Sequence, residues 1–501
     1  MLFHTQNFAF FLIGVFALFW LAVPRNLTAQ NLLLIVASYV FYGFWDVRFL
    51  LLLSLSTLID FYTGLRIYTA TTKQKKKQWL WVSVVLNFGL LGYFKYVNFF
   101  LENFTTLLHS FGIESAVPFV NVLLPVGISF YTFHGISYVI DIYYNRIEPT
   151  KDFVAYALFV SFFPLLVAGP IERANHLLPQ LKVLRKFNYQ EAVLGMKQIL
   201  WGLFKKMVIA DNCMVLADHA FAYHDTLPAS TLALGAIFFS FQIYGDFSGY
   251  SDIAIGTGRL FGVSLLKNFS FPYFAQSISE FWKRWHISLT SWFRDYLYLP
   301  LGGSKVSKPI MVRNVMVVFL VSGFWHGAAW TFVVWGFLNA LFYLLEGSIF
   351  NKKKFGLNQS TAATNSAQSK TKASAFNNRI GEWTRGLRMS LNIVFTFVLV
   401  TLLWVFFRAT SLEVAFSFLA HLADSSLFTN PLLEPKLNSY VLPLLVFFVW
   451  VEWQGREHHF ALENWMSKSP TLLRWGFYSL LVFLIGMFMT VETSPFIYFQ
   501  F

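Results

Sequence analysis

Long apolar runs recur along most of this chain. A helix needs about 20 mainly apolar residues to cross a bilayer. Stretches approaching that length predict membrane-spanning helices at 8–23, 31–45, 48–68, 79–101, 119–143, 153–170, 231–250, 310–329, 330–349, 389–407, 439–454 and 473–491. Two more stretches, 192–210 and 270–300, are shorter or more polar, which favours re-entrant or interfacial segments. The pattern predicts an all-α integral membrane protein with roughly 10 to 12 spanning helices.

The positions of the basic residues predict the orientation of these helices. Lys73 and the run 75–77 lie between the third and fourth predicted spans, and such clusters favour the cytoplasmic side. Counting back places the N-terminus outside the cytoplasm and Arg25 inside, which agrees. The run 8–23 has no positive flank before it and no small-residue cleavage site, so we interpret it as a retained helix rather than a secretory signal.

One segment departs from the apolar pattern. Residues 351–378 are rich in Lys, Asn, Ser, Thr and Ala. They predict a flexible, basic cytoplasmic loop, reaching to about residue 388, within a single membrane domain spanning 1–501. No internal repeat is visible, which weakens the hypothesis of a transporter built from repeats.

Composition supports a lipid environment. Of 501 residues, 56% are hydrophobic and 13% charged, about half the charged fraction usual for a soluble domain. The net charge of +13 fits basic cytoplasmic loops better than nucleic-acid binding. The single cysteine, Cys213, excludes an intrachain disulfide framework and a cysteine-rich metal site.

Polar residues inside apolar stretches are the first candidates for function, because they are costly in a membrane. The segment 242–252 holds Gln242, Asp246, Tyr250 and Asp252 at the end of an apolar run. It is either the wall of an internal cavity or a polar helix end at the interface, with an aspartate capping a neighbouring helix. It has too few converging oxygens to predict a tight site for a hard cation.

The segment 280–296 reads as one amphipathic helix with His286 at the edge of its aromatic face. That face carries Trp282, Trp285, Leu289, Trp292 and Tyr296. A Trp- and Arg-rich helix lying at the membrane interface is one interpretation. A buried helix that presents His286 to a cavity is the other.

His326 lies within the long apolar stretch 311–345. A histidine near mid-membrane must face a protein cavity or a partner group, although it could serve only a structural hydrogen bond. Gly323 and Gly327 are four residues apart and so share a helix face. They permit either close helix packing or room for a slender ligand beside the imidazole.

Two such histidines are suited to acyl transfer. Desolvation in a water-poor tunnel would keep the His326 imidazole neutral and able to accept a proton from an attacking hydroxyl. The same proton can pass to the leaving thiolate of a thioester, and such acid–base help gives about 10²–10⁴ in rate. A second histidine or a polar neighbour could orient the thioester or hold the developing oxyanion. The sequence contains no G-x-S-x-G motif, Cys/His pair or Walker loop, so neither a covalent intermediate nor ATP use is supported.

The polar strings together resemble the membrane-bound O-acyltransferase family, and within it the bacterial alginate O-acetyltransferase branch. The resemblance covers most of the chain and is densest from 162 to 336. The matching strings are 163–172 (FPLLVAGPIE), 242–252 (QIYGDFSGYSD), 281–289 (FWKRWHISL), 294–303 (RDYLYLPLGG) and 323–327 (GFWHG).

The resemblance implies a ring of helices around a thin centre, with funnels meeting at a catalytic tunnel. His326 maps to the catalytic histidine and His286 to the second active-site position. The remaining candidate tunnel-lining residues are Trp325, Gln242, Asp246, Tyr250, Asp252, Trp285 and Arg294. No metal or bound cofactor is expected.

The resemblance also implies substrates, partners and a location. The acyl donor would be cytoplasmic acetyl-CoA, and delivery would be extracytoplasmic, through a partner acetyltransferase to a polysaccharide such as alginate. Related branches acetylate peptidoglycan or cellulose, or transfer D-alanine toward teichoic acids. The expected location is the bacterial cytoplasmic (inner) membrane. The Lys-rich insert 351–378 is longer than this branch leads us to expect.

Two other function classes explain many spans equally well. A transporter or flippase for an acylated or glycan intermediate would also place polar residues in the membrane. It would tolerate His326→Gln better than an acyltransferase would. A scaffold for a secretion complex would tolerate the loss of both histidines.

Overall fold

The computed structural model describes residues 1–114, 119–120, 123–167, 169–350, 372–432, 435–489 and 496–497, and every regular element in these ranges is helical. The α-helices are α1 (Gln6–Ala17), α2 (Leu27–Gly43), α3 (Arg48–Thr69), α4 (Lys73–Leu91), α5 (Val97–Ser110), α6 (Ile128–Tyr143), α7 (Phe153–Ser161), α8 (Phe163–Leu166), α9 (Ala174–Leu181), α10 (Tyr189–Leu203), α11 (Asp211–Ala222), α12 (Ala229–Leu260), α13 (Ile278–Arg284), α14 (Ile287–Phe293), α15 (Lys308–His326), α16 (Trp330–Phe350), α17 (Lys372–Arg408), α18 (Leu412–His421), α19 (Pro435–Gly455) and α20 (Thr471–Phe488). Short π-helical segments extend α1, α4, α10 and α14, and the one after α10 (Phe204–Ala210) runs directly into α11.

The lengths and composition of the helices confirm a multi-pass, all-α membrane protein. Six helical segments in the described ranges are long and apolar enough to span a bilayer: Arg48–Thr69, Lys73–Ser110, Lys308–His326, Trp330–Gly347, Thr384–Arg408 and Thr471–Phe488. Three shorter apolar helices lie at further predicted spans: Gln6–Ala22, Leu27–Gly43 and Tyr440–Gly455. A fourth, Leu412–His421, lies where no span was predicted.

The predicted span over 153–170 is wrong. The stretch 153–170 is not one spanning helix, because α7 ends at Ser161 and a separate four-residue helix follows. Pro164 has no N–H to donate to the carbonyl of Val160, so the first helix cannot continue. Helix α17 begins at Lys372, within the segment that the sequence predicts as a basic loop to about residue 388. Residues 351–371 of that loop lie outside the described residues.

The long helix α12 is the buried centre that positions the polar segment 242–252. It packs against α10, α11 and the π-helical segment between them. Backbones cross closely at glycines: a methyl group on Gly202 would lie 2.6 Å from the carbonyl oxygen of Gly249, the kind of approach that small residues permit between membrane helices. Because α12 continues to Leu260, the polar segment is helix interior. The alternative of a polar helix end is therefore wrong.

A tight hairpin of α15 and α16 carries His326. A methyl group on Gly323 would collide with the carbonyl oxygen of Phe332, and one on Gly327 would collide with the Phe332 ring. Both glycines thus serve close helix packing. The space beside Gly327 is filled by an aromatic ring, so the alternative of ligand room at this glycine is wrong.

Candidate active site

His286 and His326 both contact the ring of the same tryptophan, Trp325. The ring of Trp325 lies 6.1 Å from that of His286 and 5.0 Å from that of His326, in edge-to-face arrangements. Both histidines are buried, with 1% and 3% of their surface exposed. Residues 40 positions apart in the sequence therefore form one aromatic, water-poor site.

The end of α15 sets the position of His326. The helix stops at this residue because Gly327 is extended, with φ −159° and ψ 151°. The imidazole then packs edge-on against Trp335 of α16 and Phe407 of α17, each with ring centres 5.3 Å away. Three helices therefore surround the ring.

The π-helical segment after α4 satisfies the last carbonyls of α15. Carbonyls in the final turn of a helix have no intrahelical partner. Lys95 Nζ donates to the carbonyl oxygens of Trp325 and His326, at 2.7 and 2.9 Å. The Tyr96 hydroxyl donates to that of Phe324 at 3.0 Å. A cation at a helix C-terminus is also electrostatically favourable. This segment thus anchors the helix end that carries the catalytic candidate.

Replacing Lys95 tests this anchor. We expect Lys95→Met to lower kcat about 10-fold or more, because a small displacement of a reacting group slows chemistry steeply. Lys95→Arg, which keeps a cationic donor, should retain more activity. Lys197→Met is the matched control, since the Lys197 ammonium lies 6.0 Å from the Tyr478 ring, on helix α10 rather than at the histidines. A folded Lys95→Met protein with normal turnover would contradict the assignment.

His286 lies in a break between two helices, so the predicted continuous helix over 280–296 is wrong. It adopts the left-handed conformation, with φ 43° and ψ 53°. The loop segment 268–270 pairs with backbone groups that a continuous helix would pair internally: Ile287 N donates to the Asn268 carbonyl at 2.8 Å, and Ser270 N donates to that of Arg284 at 2.9 Å. Each flanking helix has seven residues, about 10 Å, which is too short to span a bilayer.

A hydrogen-bond chain fixes the tautomer of His286. Ile171 N donates to Ser288 Oγ at 3.0 Å, so the Ser288 hydroxyl proton is available for Asn268 Oδ1, 2.9 Å away. That oxygen is therefore an acceptor, and His286 Nδ1, also 2.9 Å from it, must carry the proton. Asn268 Nδ2 continues the chain by donating to Ser251 Oγ at 3.1 Å. His286 Nε2 then bears a lone pair, and it has no hydrogen-bond partner among the described residues.

The carboxylates of the segment 242–252 pair with two consecutive lysines of the π-helical segment. Asp246 is 2.7 Å from Lys206 Nζ, and Asp252 is 2.5 Å from Lys205 Nζ. Lys206 also pairs with Asp211 at 2.8 Å. A π-helical turn widens the helix and turns both lysines inward. The same segment reaches the candidate site, because the rings of Phe247 and His286 are in contact, with centres 4.6 Å apart.

Breaking this network should unfold the protein more easily. Lys206→Met would leave Asp246 and Asp211 buried without their cation, and we expect a loss of about 3–5 kcal/mol. The double variant Lys206→Met/Asp246→Asn should lose less, because one buried charge is removed with the lysine. Thermal melting curves of the detergent-solubilised proteins measure the stability of both variants. Equal stability of Lys206→Met and wild type would contradict the prediction.

The remaining predicted tunnel residues occupy different surroundings. Trp285 is buried against Phe269 and Trp404, with ring centres 5.0 Å away in each case.

The polar candidates have separate surroundings. The Tyr250 hydroxyl lies 3.0 Å from His4 Nδ1. The carbonyl oxygen of the buried Gln242 side chain has no hydrogen-bond partner among the described residues. The side chain of Arg294 is 62% exposed and pairs with Asp295, so it does not lie with the histidines.

The string 163–172 ends on a carboxylate that ties loops together. Glu172 accepts from Leu266 N at 2.6 Å and from His176 Nδ1 at 2.8 Å, and its own N–H donates to His134 Nε2 at 3.0 Å. The hydrogen bond to Glu172 raises the pKa of His176. Glu172 is therefore a structural anchor directly after Ile171, whose N–H donates to Ser288 Oγ.

Lys95 and Asn268 contact the candidate site but are absent from the residues that the sequence patterns single out. Lys95 had a signal, since a charged residue in an apolar span is a functional candidate. Asn268 had none, because its role depends on a loop folding back onto His286. Within the described residues, no group of three or more His, Cys, Asp or Glu side chains is placed to hold a metal ion.

Comparison with known proteins identifies the family of the chain. The model of the membrane-bound O-acyltransferase family matches residues 34–376, a range that includes both histidines. This chain belongs to the membrane-bound O-acyltransferase family. It is 39% identical to "Probable alginate O-acetylase AlgI" of Azotobacter vinelandii, over 83% of this chain and 76% of that protein. It is 37% identical to the peptidoglycan O-acetyltransferase of Helicobacter pylori, over 83% and 78%. It is 27% identical to the teichoic acid D-alanyltransferase of Bacillus subtilis, over 44% and 58%.

Family membership decides between the function classes that the sequence left open. The protein is a membrane O-acyltransferase, and the transporter and scaffold hypotheses are not needed to explain its spans or its buried histidines. The candidate site lies at the junction of α13 and α14 and at the end of α15, and Lys95 and Asn268 contact it from outside these helices.

Proposed function

We propose that the protein takes an acetyl group from cytoplasmic acetyl-CoA and delivers it across the membrane for O-acetylation of an extracytoplasmic polysaccharide. Alginate or a similar exopolysaccharide is the proposed final acceptor, reached through a partner acetyltransferase. The enzyme would lie in the bacterial cytoplasmic membrane with its N-terminus outside. Similarity to alginate and peptidoglycan O-acetylating proteins supports the acyl group and the class of acceptor.

The observation that carries the proposal is the pair of buried imidazoles on Trp325. His326 lies 5.0 Å from that ring and His286 6.1 Å from it. A thioester entering between them would meet two nitrogen bases in a setting that excludes bulk water. Water exclusion protects an activated acetyl group from hydrolysis.

In the proposed reaction His326 is the general base. Its imidazole takes the proton of the attacking hydroxyl while the hydroxyl oxygen bonds to the carbonyl carbon. The tetrahedral intermediate then collapses, the C–S bond breaks, and the imidazolium returns the proton to the thiolate. His286 Nε2 carries a lone pair, so His286 orients a substrate N–H or O–H group rather than stabilising an oxyanion.

Label transfer tests the proposal. Purified protein in liposomes would receive [¹⁴C]acetyl-CoA on one face, and the partner with an alginate acceptor on the other. We expect labelled acceptor with wild type and none with His326→Ala. Transfer from a different thioester would correct the donor, transfer to peptidoglycan fragments would correct the acceptor, and equal labelling by both proteins would overturn the role of His326.

A further inference from the structure

We propose that the indole N–H of Trp325 is the oxyanion donor of this site. The proposal rests on the proposed function, because it assigns a role in thioester cleavage. The proposed donor is the indole nitrogen of Trp325, a group distinct from both histidines. His286 presents a lone pair at Nε2, so another group must stabilise the negative charge that develops on the carbonyl oxygen.

Trp325 is buried without a protein acceptor for its N–H. It is 5% exposed, and Nε1 has no hydrogen-bond partner among the described residues. A buried N–H of this kind is costly to leave unpaired. Two other buried indoles are paired: Trp292 Nε1 donates to the carbonyl of Phe133 at 3.2 Å, and Trp201 Nε1 donates to Glu452 at 2.8 Å. The indole nitrogens of Trp282, Trp404 and Trp465 resemble that of Trp325 in having no hydrogen-bond partner among the described residues, so the position of Trp325 against both imidazoles is what distinguishes it.

The surroundings of Trp325 favour an oxygen ligand that carries negative charge. Its ring contacts both imidazoles, and Phe133 stacks on it with ring centres 5.5 Å apart, which limits its freedom to turn. Lys95 Nζ lies 5.8 Å from the ring centre while holding the Trp325 carbonyl. A fixed N–H donor beside a cation in a dry site is what a developing oxyanion requires.

The step balances with groups already present. When the hydroxyl oxygen bonds to the carbonyl carbon, the C=O π pair moves onto the carbonyl oxygen, which accepts a hydrogen bond from Trp325 Nε1. The pair re-forms the carbonyl when the C–S bond breaks. The proton on His326 passes to the thiolate, and no oxidant or further reactant is needed.

Trp325→Phe removes the N–H and keeps an aromatic ring. We expect kcat for acetyl transfer to fall about 10²–10³-fold, the loss typical of an oxyanion donor, with the KM for acetyl-CoA nearly unchanged. Trp465→Phe is the matched control: the Trp465 N–H also lacks a hydrogen-bond partner among the described residues, but its ring packs on Trp450 and Phe477, 5.3 Å from each. The control should turn over normally.

A second variant separates chemistry from packing. Benzothienylalanine at position 325 replaces the N–H by sulfur and keeps the bicyclic shape, so it should melt like wild type and show the same loss of kcat. Normal kcat in this variant would overturn the proposal, whether or not Trp325→Phe folds. If wild type transfers no label, or if His326→Ala transfers it normally, the proposed function fails and the role of Trp325 fails with it. If wild type transfers label, His326→Ala does not, and the position-325 variants have normal kcat, the proposed function stands and the role of Trp325 is wrong.

Discussion

Replacing His326 by alanine should abolish acetyl transfer while the protein remains folded in the membrane. In the proposed reaction the imidazole at the end of α15 accepts the hydroxyl proton, and loss of a general base costs about 10²–10⁴ in rate. Residual turnover would then fall near the background of a label-transfer assay. The comparison is kcat for wild type and variant, measured in the same liposomes at saturating acetyl-CoA.

Folding must be controlled, because the same ring packs on Trp335 and Phe407. His326→Gln fills more of the space than alanine and keeps a polar group but no base of comparable strength, so it should also be inactive. His459→Ala changes an exposed histidine outside the site and should be fully active. Substantial turnover by a folded His326→Gln protein would show that the general base is another group.

The sequence predicted those features that depend on local pattern. The apolar runs at 48–68, 310–329 and 389–407 became helices of spanning length, since composition alone decides partition into lipid. His326 stood out for the same reason, as an ionisable residue in an apolar stretch. Both predictions depend on the free energy of placing a single segment in the membrane, which does not require contacts with distant segments.

The features that failed depend on contacts between distant segments. The period of 3.6 residues runs unbroken through 280–296, yet the chain bends at His286 because segment 268–270 competes for its backbone hydrogen bonds. The stretch 153–170 is apolar because protein surrounds it: Ala155 and Phe163 are each 0% exposed. Apolar composition cannot distinguish burial in lipid from burial in protein.

Replacing His286 by alanine should lower kcat about 100-fold, because it removes the lone-pair nitrogen that orients substrate beside Trp325. Replacing Asn268 tests more sharply how the tautomer and the orientation of the His286 ring are set. Asn268→Asp keeps an oxygen acceptor for His286 Nδ1 and should retain more activity than Asn268→Leu, which leaves both His286 Nδ1 and Ser288 Oγ without the acceptor they share. Ser291→Ala is a matched control, since its hydroxyl bonds only a carbonyl of its own helix, that of Ser288.

The tautomer itself can be read by nitrogen NMR of histidine-labelled protein. We expect the His286 signal to report a protonated Nδ1 and an unprotonated Nε2 in wild type, and to lose this preference in Asn268→Leu. Activity and tautomer should change together across the Asn268 variants, because orientation and proton position share one hydrogen bond. A protonated Nε2 in active wild type would instead make His286 a donor, and it would then compete with Trp325 for the role of stabilising the oxyanion.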